Sequence, residues 1–236
     1  MTQPLNLDAM VDRAAFFSHE HQLHLIDLAE RFGEHRFEVD LNAGTLDFVA
    51  DRPLLRTAAG LLGSASEGVG TWLWGWANPA GFSAQVTAFG ERIAQFGRAY
   101  GVRELVDAEL PLDAYLAARL VDAAKLVTGR WTSYSGQAGP GLRTYLLIDA
   151  PELHLPVPGV NRSVRVIGEA LSYGLIHDHR LALLSYAQLR GLTANNGSDG
   201  KSVRVWFPDG QVTVEFDGLG RIGQMSAEMR PPQRNS

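Results

Sequence analysis

The chain carries seven histidines and no cysteine. Without cysteine there is no disulfide, no thiolate metal site, no iron–sulfur cluster and no thiol nucleophile. Histidine chemistry is left, and the densest histidine run is His19-Glu-His-Gln-Leu-His24. A zincin pair would need its second histidine at position 23, where Leu23 stands. His21 and His24 are three apart and share a helix face, beside the stripe Phe17, Leu25, Leu28. They read as half-buried helix histidines, with lining a pocket as the functional alternative. The spacings match no closed metal site, so neither a metal nor any other cofactor is expected. His177-Asp178-His179 sits between two helical stretches, and Asp178 reads as the cap of the second. Serine hydrolase chemistry lacks its G-x-S-x-G marker. The glycine-rich stretch Gly60–Gly70 lies between strands and opens no helix, so it is no phosphate loop. It reads as bulges and close packing.

The sharpest local feature is Gly70-Thr-Trp-Leu-Trp-Gly-Trp-Ala-Asn-Pro79. In a strand alternate residues share a face, so Trp72, Trp74 and Trp76 form one stripe of roughly 13 Å at about 3.3 Å per residue. The other face, Thr71, Leu73, Gly75 and Ala77, is small and apolar. Neither face is polar, which predicts a central strand covered on both sides. The stripe is either core, each indole N–H bonded to a neighbour, or a stacking platform for a sugar or another flat apolar group. Trp72, Trp74, Trp76, His21 and His24 are the ligand-binding candidates, and no catalytic residue is assigned. An enzyme reading would need those histidines beside Asp40, Asp47 or Glu67, within about 3 Å in a cleft.

The elements that must position these residues follow from periodicity. Met10, Ala14, Phe17, Leu25, Leu28 and Phe32 step at helical spacing from about Asp8, a plausible N-cap, to a stop at Gly33. Phe37, Val39 and Leu41, then Leu46 and Phe48, alternate around Asn42-Ala43-Gly44, a β-hairpin. Strands follow at about 56–66 and 70–77, the second closed by Asn78-Pro79. Ser83 is the expected cap of a helix carrying Val86, Phe89, Ile93 and Phe96, and another helix starts near Pro111. Trp131–Tyr134 and Leu142–Ile148 read as strands. Three prolines between 151 and 158 mark a linker over 151–160. Two helices, about 162–176 and 179–190, precede a flexible loop, Asn195–Gly200, and a three-strand meander. Residues 231–236 read as a frayed end.

The expected class is α+β: an N-terminal helix on a mainly antiparallel sheet, as in cystatin-like or nuclear-transport-factor-like wraps. Residues 161–236 add a helix pair and the meander. Net charge is −5 over 236 residues, with residues 1–160 acidic at −7 and 161–236 at +2. Neither part is a nucleic-acid footprint. No apolar run reaches a membrane span and MTQPLNLDAM lacks the features of a signal peptide, so a soluble, cytoplasmic protein is expected.

RFEVDLNAGTLDF followed by GTWLWGWANP resembles a family of uncharacterised bacterial proteins, a domain of unknown function. That family shares a D-L-x-A-G-T-L-x-F hairpin and a G-T-W-L-W-x-W-A-N-P strand. The resemblance spans about residues 20–150 and implies no catalytic residue. The reading that results is a non-enzymatic module for a small ligand or a protein partner, with no nucleic-acid or membrane partner. A homodimer is compatible with it. The rivals are a hydrolase or isomerase with a histidine–carboxylate pocket, and an immunity-type interaction protein.

Overall fold

The computed structural model describes residues 5–77, 81–82, 84–198 and 200–230, without the side chains of 84 and 85. Asn78, Pro79, Ser83 and the 231–236 end therefore lie outside the described residues. Two compact units emerge: Met1–Val11 with His21–His154, and Asp12–Glu20 with Leu155–Ser236.

Helix α1 (Leu7–Phe32) supplies both. Its N-cap is Asn6, whose Oδ1 accepts from Ala9 N at 2.8 Å. Asp8, the expected cap, lies inside the first turn and pairs with Arg119 instead. Gly33 ends the helix as expected, at φ 71°, a conformation that favours glycine.

In the first unit, β1 (Arg36–Asp40) and β2 (Thr45–Val49) form the predicted hairpin. Asp40 Oδ1 accepts from Asn42 N and Ala43 N, both at 2.9 Å, and so fixes its turn. The long β3 (Pro53–Ser66) pairs with β2, β4 (Thr71–Trp74) and β7 (Leu142–Asp149). β5 (Glu109–Pro111) pairs with β4, and β6 (Thr132–Gly139) with β7. The result is a curled, seven-stranded antiparallel sheet. Leu25 and Leu28 of α1 pack on Leu46, Phe48, Leu55, Leu61, Leu146 and Ile148. Leu46 and Phe48 are fully buried, each worth roughly 1.5–3 kcal/mol relative to exposure.

Three further expectations need correction. The tryptophan strand stops at Trp74, and Gly75–Ala77 is a 3-10 turn, so Trp76 leaves the stripe. A Cβ at Gly75 would come within 2.8 Å of the Leu61 carbonyl oxygen, so a close approach to β3 fixes glycine there. Pro111 ends β5 and does not start a helix: α3 is Leu116–Thr128, and Asp113 Oδ1 accepts from Leu116 N at 2.7 Å. Helix α2 is Ala84–Tyr100. The Gly60–Gly70 stretch does pack as expected. A bulge lies between Leu61 and Gly63, and a Cβ at Gly63 would press Trp72 at 2.7 Å.

In the second unit α4 (Val160–Ser172) and α5 (His179–Leu189) cover one face of an antiparallel sheet. Asp178 caps α5 as predicted, accepting from Leu181 N at 2.9 Å. The third correction lies here. The expected three-strand meander forms as β9 (Ser202–Phe207), β10 (Gly210–Phe216) and β11 (Ile222–Met229), but a fourth strand, β8 (Thr193–Asn196), joins it and takes Asn195 and Asn196 out of the expected loop. Thr-Ala-Asn-Asn carries no strand pattern of its own and becomes a strand by pairing with β9. Val203, Val205, Phe207, Val212, Val214 and Phe216 are the buried phase.

Candidate functional site

Trp72 and Trp74 are fully buried, edge to face at 5.4 Å between ring centroids. Trp74 Nε1 donates to the Glu104 carbonyl at 2.9 Å. The indole N–H groups of Trp72 and Trp76 are buried and meet no acceptor among the described residues. His21 stacks on Trp131 and its Nδ1 lies 3.4 Å from Thr132 Oγ1. His24 Nε2 donates to the Glu152 carbonyl at 3.0 Å. The histidines and the tryptophans are thus held by separate partners.

Two of the three carboxylates that the enzyme reading named are engaged elsewhere. Asp40 closes the hairpin turn. Asp47 holds Arg56 through both oxygens, and that hydrogen bonding keeps its carboxyl below the usual carboxylate range. Glu67 is exposed in the turn after β3. Histidine does meet carboxylate in the second unit, where His19 Nε2 donates to Glu169 at 3.1 Å. Arg165 binds the same carboxylate at 2.7 Å. Arg165 first and His19 second hold the Glu169 carboxyl low, so it stays an anion in an ion pair. The His177-Asp178-His179 segment is structural too. His177 N and Asp178 N donate to the buried Asp12 carboxylate, and His179 Nδ1 accepts from Ile222 N.

A concavity of about 400 Å³ lies on the outward side of the four-stranded sheet. Its origin is the alternation of β9. Val203, Val205 and Phe207 point to the core, so Ser202, Arg204 and Trp206 point away. Asn195 on β8 and Thr213 on β10 sit directly opposite Arg204. Asn196, Gly197 and Ser198 form the rim. That rim is clamped: Arg180 donates to Asn196 Oδ1 and to the Gly200 carbonyl, both at 2.8 Å. The same guanidinium lies 4.1 Å from the Phe216 ring centroid, a cation–π contact that holds it in place.

Among the described residues the lining supplies one cation, one indole and a set of amides and hydroxyls. Arg204 has no ion-pair partner among the described residues. No histidine or carboxylate stands among the described lining residues, which offer a guanidinium, an indole, amides and hydroxyls for binding. These residues were legible in part. A tryptophan on the polar phase of an alternating strand is the signal that points here.

With this geometry in place, the chain matches a family of unknown function (DUF6882) over residues 8–151 and belongs to that family. No curated protein and no solved structure matches it. The concavity, built from residues 195–213, lies outside the matched stretch. Among the described residues no helix is long and apolar enough to cross a membrane.

Proposed function

We propose that this chain is a non-enzymatic small-ligand-binding module and that its ligand sits in the concavity of the second unit. One observation carries the reading: Arg204 and Trp206 alternate on the outward side of β9, inside a polar hollow. Two residues along a strand span roughly 6.6 Å, about the width of a six-membered ring with one substituent. The guanidinium fork suits a carboxylate or phosphate, and the indole face suits the apolar side of a ring. Asn195, Ser198, Ser202 and Thr213 supply donors and acceptors for hydroxyl groups. The ligand class that fits is a hydroxylated ring bearing one anionic group, of which a sugar acid is the simplest example.

Such a ligand is small, so its affinity is modest. Roughly 13 heavy atoms at about −0.3 kcal/mol each give about −4 kcal/mol, a millimolar Kd. Saturation-transfer NMR with glucuronate, and glucose as the neutral control, tests it. Glucuronate should receive saturation from the wild type and lose it with Trp206→Ala and with Arg204→Ala, while glucose binds more weakly throughout. Equal binding by all three proteins, or none at about 10 mM ligand, ten times the expected Kd, would place the function elsewhere.

A further inference from the structure

Asn196-Gly197 is the only asparagine–glycine pair in the chain. Asparagine is among the thermally labile side chains, and a following glycine makes it more so. Glycine has no Cβ to shield its nitrogen, and its backbone freedom lets that nitrogen reach the side-chain amide carbon. Asn196 is exposed and is the last residue of β8, paired with Val203. Two bonds oppose the reaction. Gly197 N donates to the Ser202 carbonyl at 2.9 Å, so the attacking nitrogen is tied into the sheet. Arg180 Nη1 donates to Asn196 Oδ1 at 2.8 Å, so the amide under attack is held by a cation. Arg180 is itself fixed, by its Nη2 on the Gly200 carbonyl and by its face on the Phe216 ring.

We propose that Asn196 is a self-modification site, converted to aspartate and isoaspartate through a succinimide closed by Gly197, and that the Arg180 clamp slows this conversion. The Gly197 nitrogen bonds to Asn196 Cγ, the Cγ–Nδ2 bond breaks, and the amide group leaves as ammonia with the proton from Gly197 N. Water then opens the ring. Attack at Cγ gives aspartate, and attack at the Asn196 main-chain carbonyl gives isoaspartate. Water is consumed and ammonia released, so the step balances without a further reactant. The nitrogen can attack only after it leaves Ser202, so reaction proceeds from locally opened molecules and its rate follows their fraction. A hydrogen bond from a charged donor changes that fraction by about tenfold or more. The cation also polarises the Asn196 carbonyl, but that effect counts only when the nitrogen is free. While the nitrogen stays on Ser202, immobilisation wins. The two products differ. Aspartate sets a carboxylate on Arg180 in place of an amide oxygen, and the rim gains a negative charge. Isoaspartate adds one carbon to the main chain between Asn196 and Gly197, so the Gly197–Ser202 bond loses its register.

The experiment follows each asparagine by peptide mapping over weeks in mildly alkaline buffer, from the mass gain of amide to acid and from methyl transfer by an isoaspartate-specific methyltransferase. The full chain is compared with Arg180→Ala, Arg180→Lys and Gly197→Ala, each folded and in urea. Folded wild type should convert Asn196 at least about tenfold more slowly than in urea. Folded Arg180→Ala should convert it about tenfold faster than folded wild type. Arg180→Lys keeps the charge without the fork and should fall between the two. In urea these three should share one rate, because the clamp is gone. Gly197→Ala should be slower there, and that comparison holds whether or not the variant folds. Asn161 in α4 reports on the fold of the same unit and should convert no faster in Arg180→Ala than in wild type. If it does accelerate, the Arg180→Lys rate decides alone. A folded Arg180 variant that converts Asn196 no faster than wild type overturns the proposal, since the clamp is then idle or activates the amide. An Asn196 left intact in the folded variants overturns it as well. So does an equal rate for Gly197→Ala in urea, because the ring then does not close through Gly197.

Discussion

Arg180 and Asn196 are joined by a 2.8 Å hydrogen bond that ties the first turn of α5 to the rim of the concavity. A second bond from the same guanidinium, to the Gly200 carbonyl, pins the far side of the loop. Within the loop Gly197 N donates to the Ser202 carbonyl and Gly200 N to the Gly197 carbonyl. One arginine thus makes two of the bonds that order this loop. Arg180→Ala should cost about 1–3 kcal/mol, the worth of charge-assisted hydrogen bonds. It should also speed amide exchange at Gly197 and Gly200 far more than in the strands. Hydrogen exchange read by NMR decides it. Unchanged protection at both glycines would mean that the rim is held by something else.

Trp74 is the second test, and it concerns the core. The ring is fully buried against Trp72, and its N–H satisfies the Glu104 carbonyl. Trp74→Ala should cost about 3–5 kcal/mol, a large share of a usual stability of about 5–15 kcal/mol. Urea denaturation followed by circular dichroism measures it. An unchanged midpoint would mean that the indole lies open, as a stacking platform requires.

The parts of the fold that were legible in the sequence rest on local signals. Asn42-Ala43-Gly44 turns the hairpin, Gly33 stops α1 and Asp178 caps α5, each through bonds within a few residues. The parts that were not legible are set by distant partners. The period-two run from Trp72 continues in sequence to Trp76, but Gly75 meets Leu61 of β3 and the chain turns. β8 is polar and exists through its ladder to β9. The candidate site was half visible. Arg204 and Trp206 stand on the solvent phase of an alternating strand of the expected meander, but the hollow around them needs β8 and the Arg180 clamp.

A third test addresses the buried polar cluster of the second unit. Tyr186 donates to Glu20 Oε2 at 2.9 Å, and Arg190 Nε lies 3.1 Å from the same oxygen. The Glu20 and Arg190 side chains are 2% and 7% exposed. Burial and the Glu20 charge push the Tyr186 phenol far above its ordinary pKa, so it stays a donor. Glu20→Leu leaves a buried guanidinium without its counter-charge and should cost about 3–5 kcal/mol. Adding Arg190→Met should recover part of that loss, because an apolar pair carries no desolvation penalty. Chemical denaturation of the two singles and the double gives the coupling energy. A double variant that loses the sum of both singles would show the two residues to be energetically independent.

The last test turns on Lys125, which is buried in α3 with its Nζ 3.5 Å from Gln22 Oε1 and 3.9 Å from Asp122. Burial opposes the ammonium form and pushes the pKa from an ordinary 10.5 down to about 8, with Asp122 offsetting only part of the effect. The sign follows from proton counting. Below about pH 8 the lysine is charged in both the folded and the unfolded chain, and the folded state bears the full cost of burying it. Between about 8 and 10.5 the unfolded chain keeps a proton that the folded chain has lost, so stability rises with pH. At 1.36 kcal/mol per pKa unit the rise is on the order of 3 kcal/mol. Lys125→Met keeps the volume and drops the charge. Gln22 Oε1 still receives Ser133 N at 2.9 Å and Ser133 Oγ at 3.1 Å, so it is not orphaned. The variant should therefore be more stable than wild type at pH 7, and the gap should close as pH approaches 10. Tyr134 and Tyr145, both raised by burial, also titrate in alkali, with the opposite sign, and the difference between the two proteins cancels them. Urea midpoints for both proteins at pH 7, 8, 9 and 10 supply that difference. Parallel curves would show that Lys125 keeps its proton in the folded chain as it does in the unfolded one, so that burial does not lower its pKa.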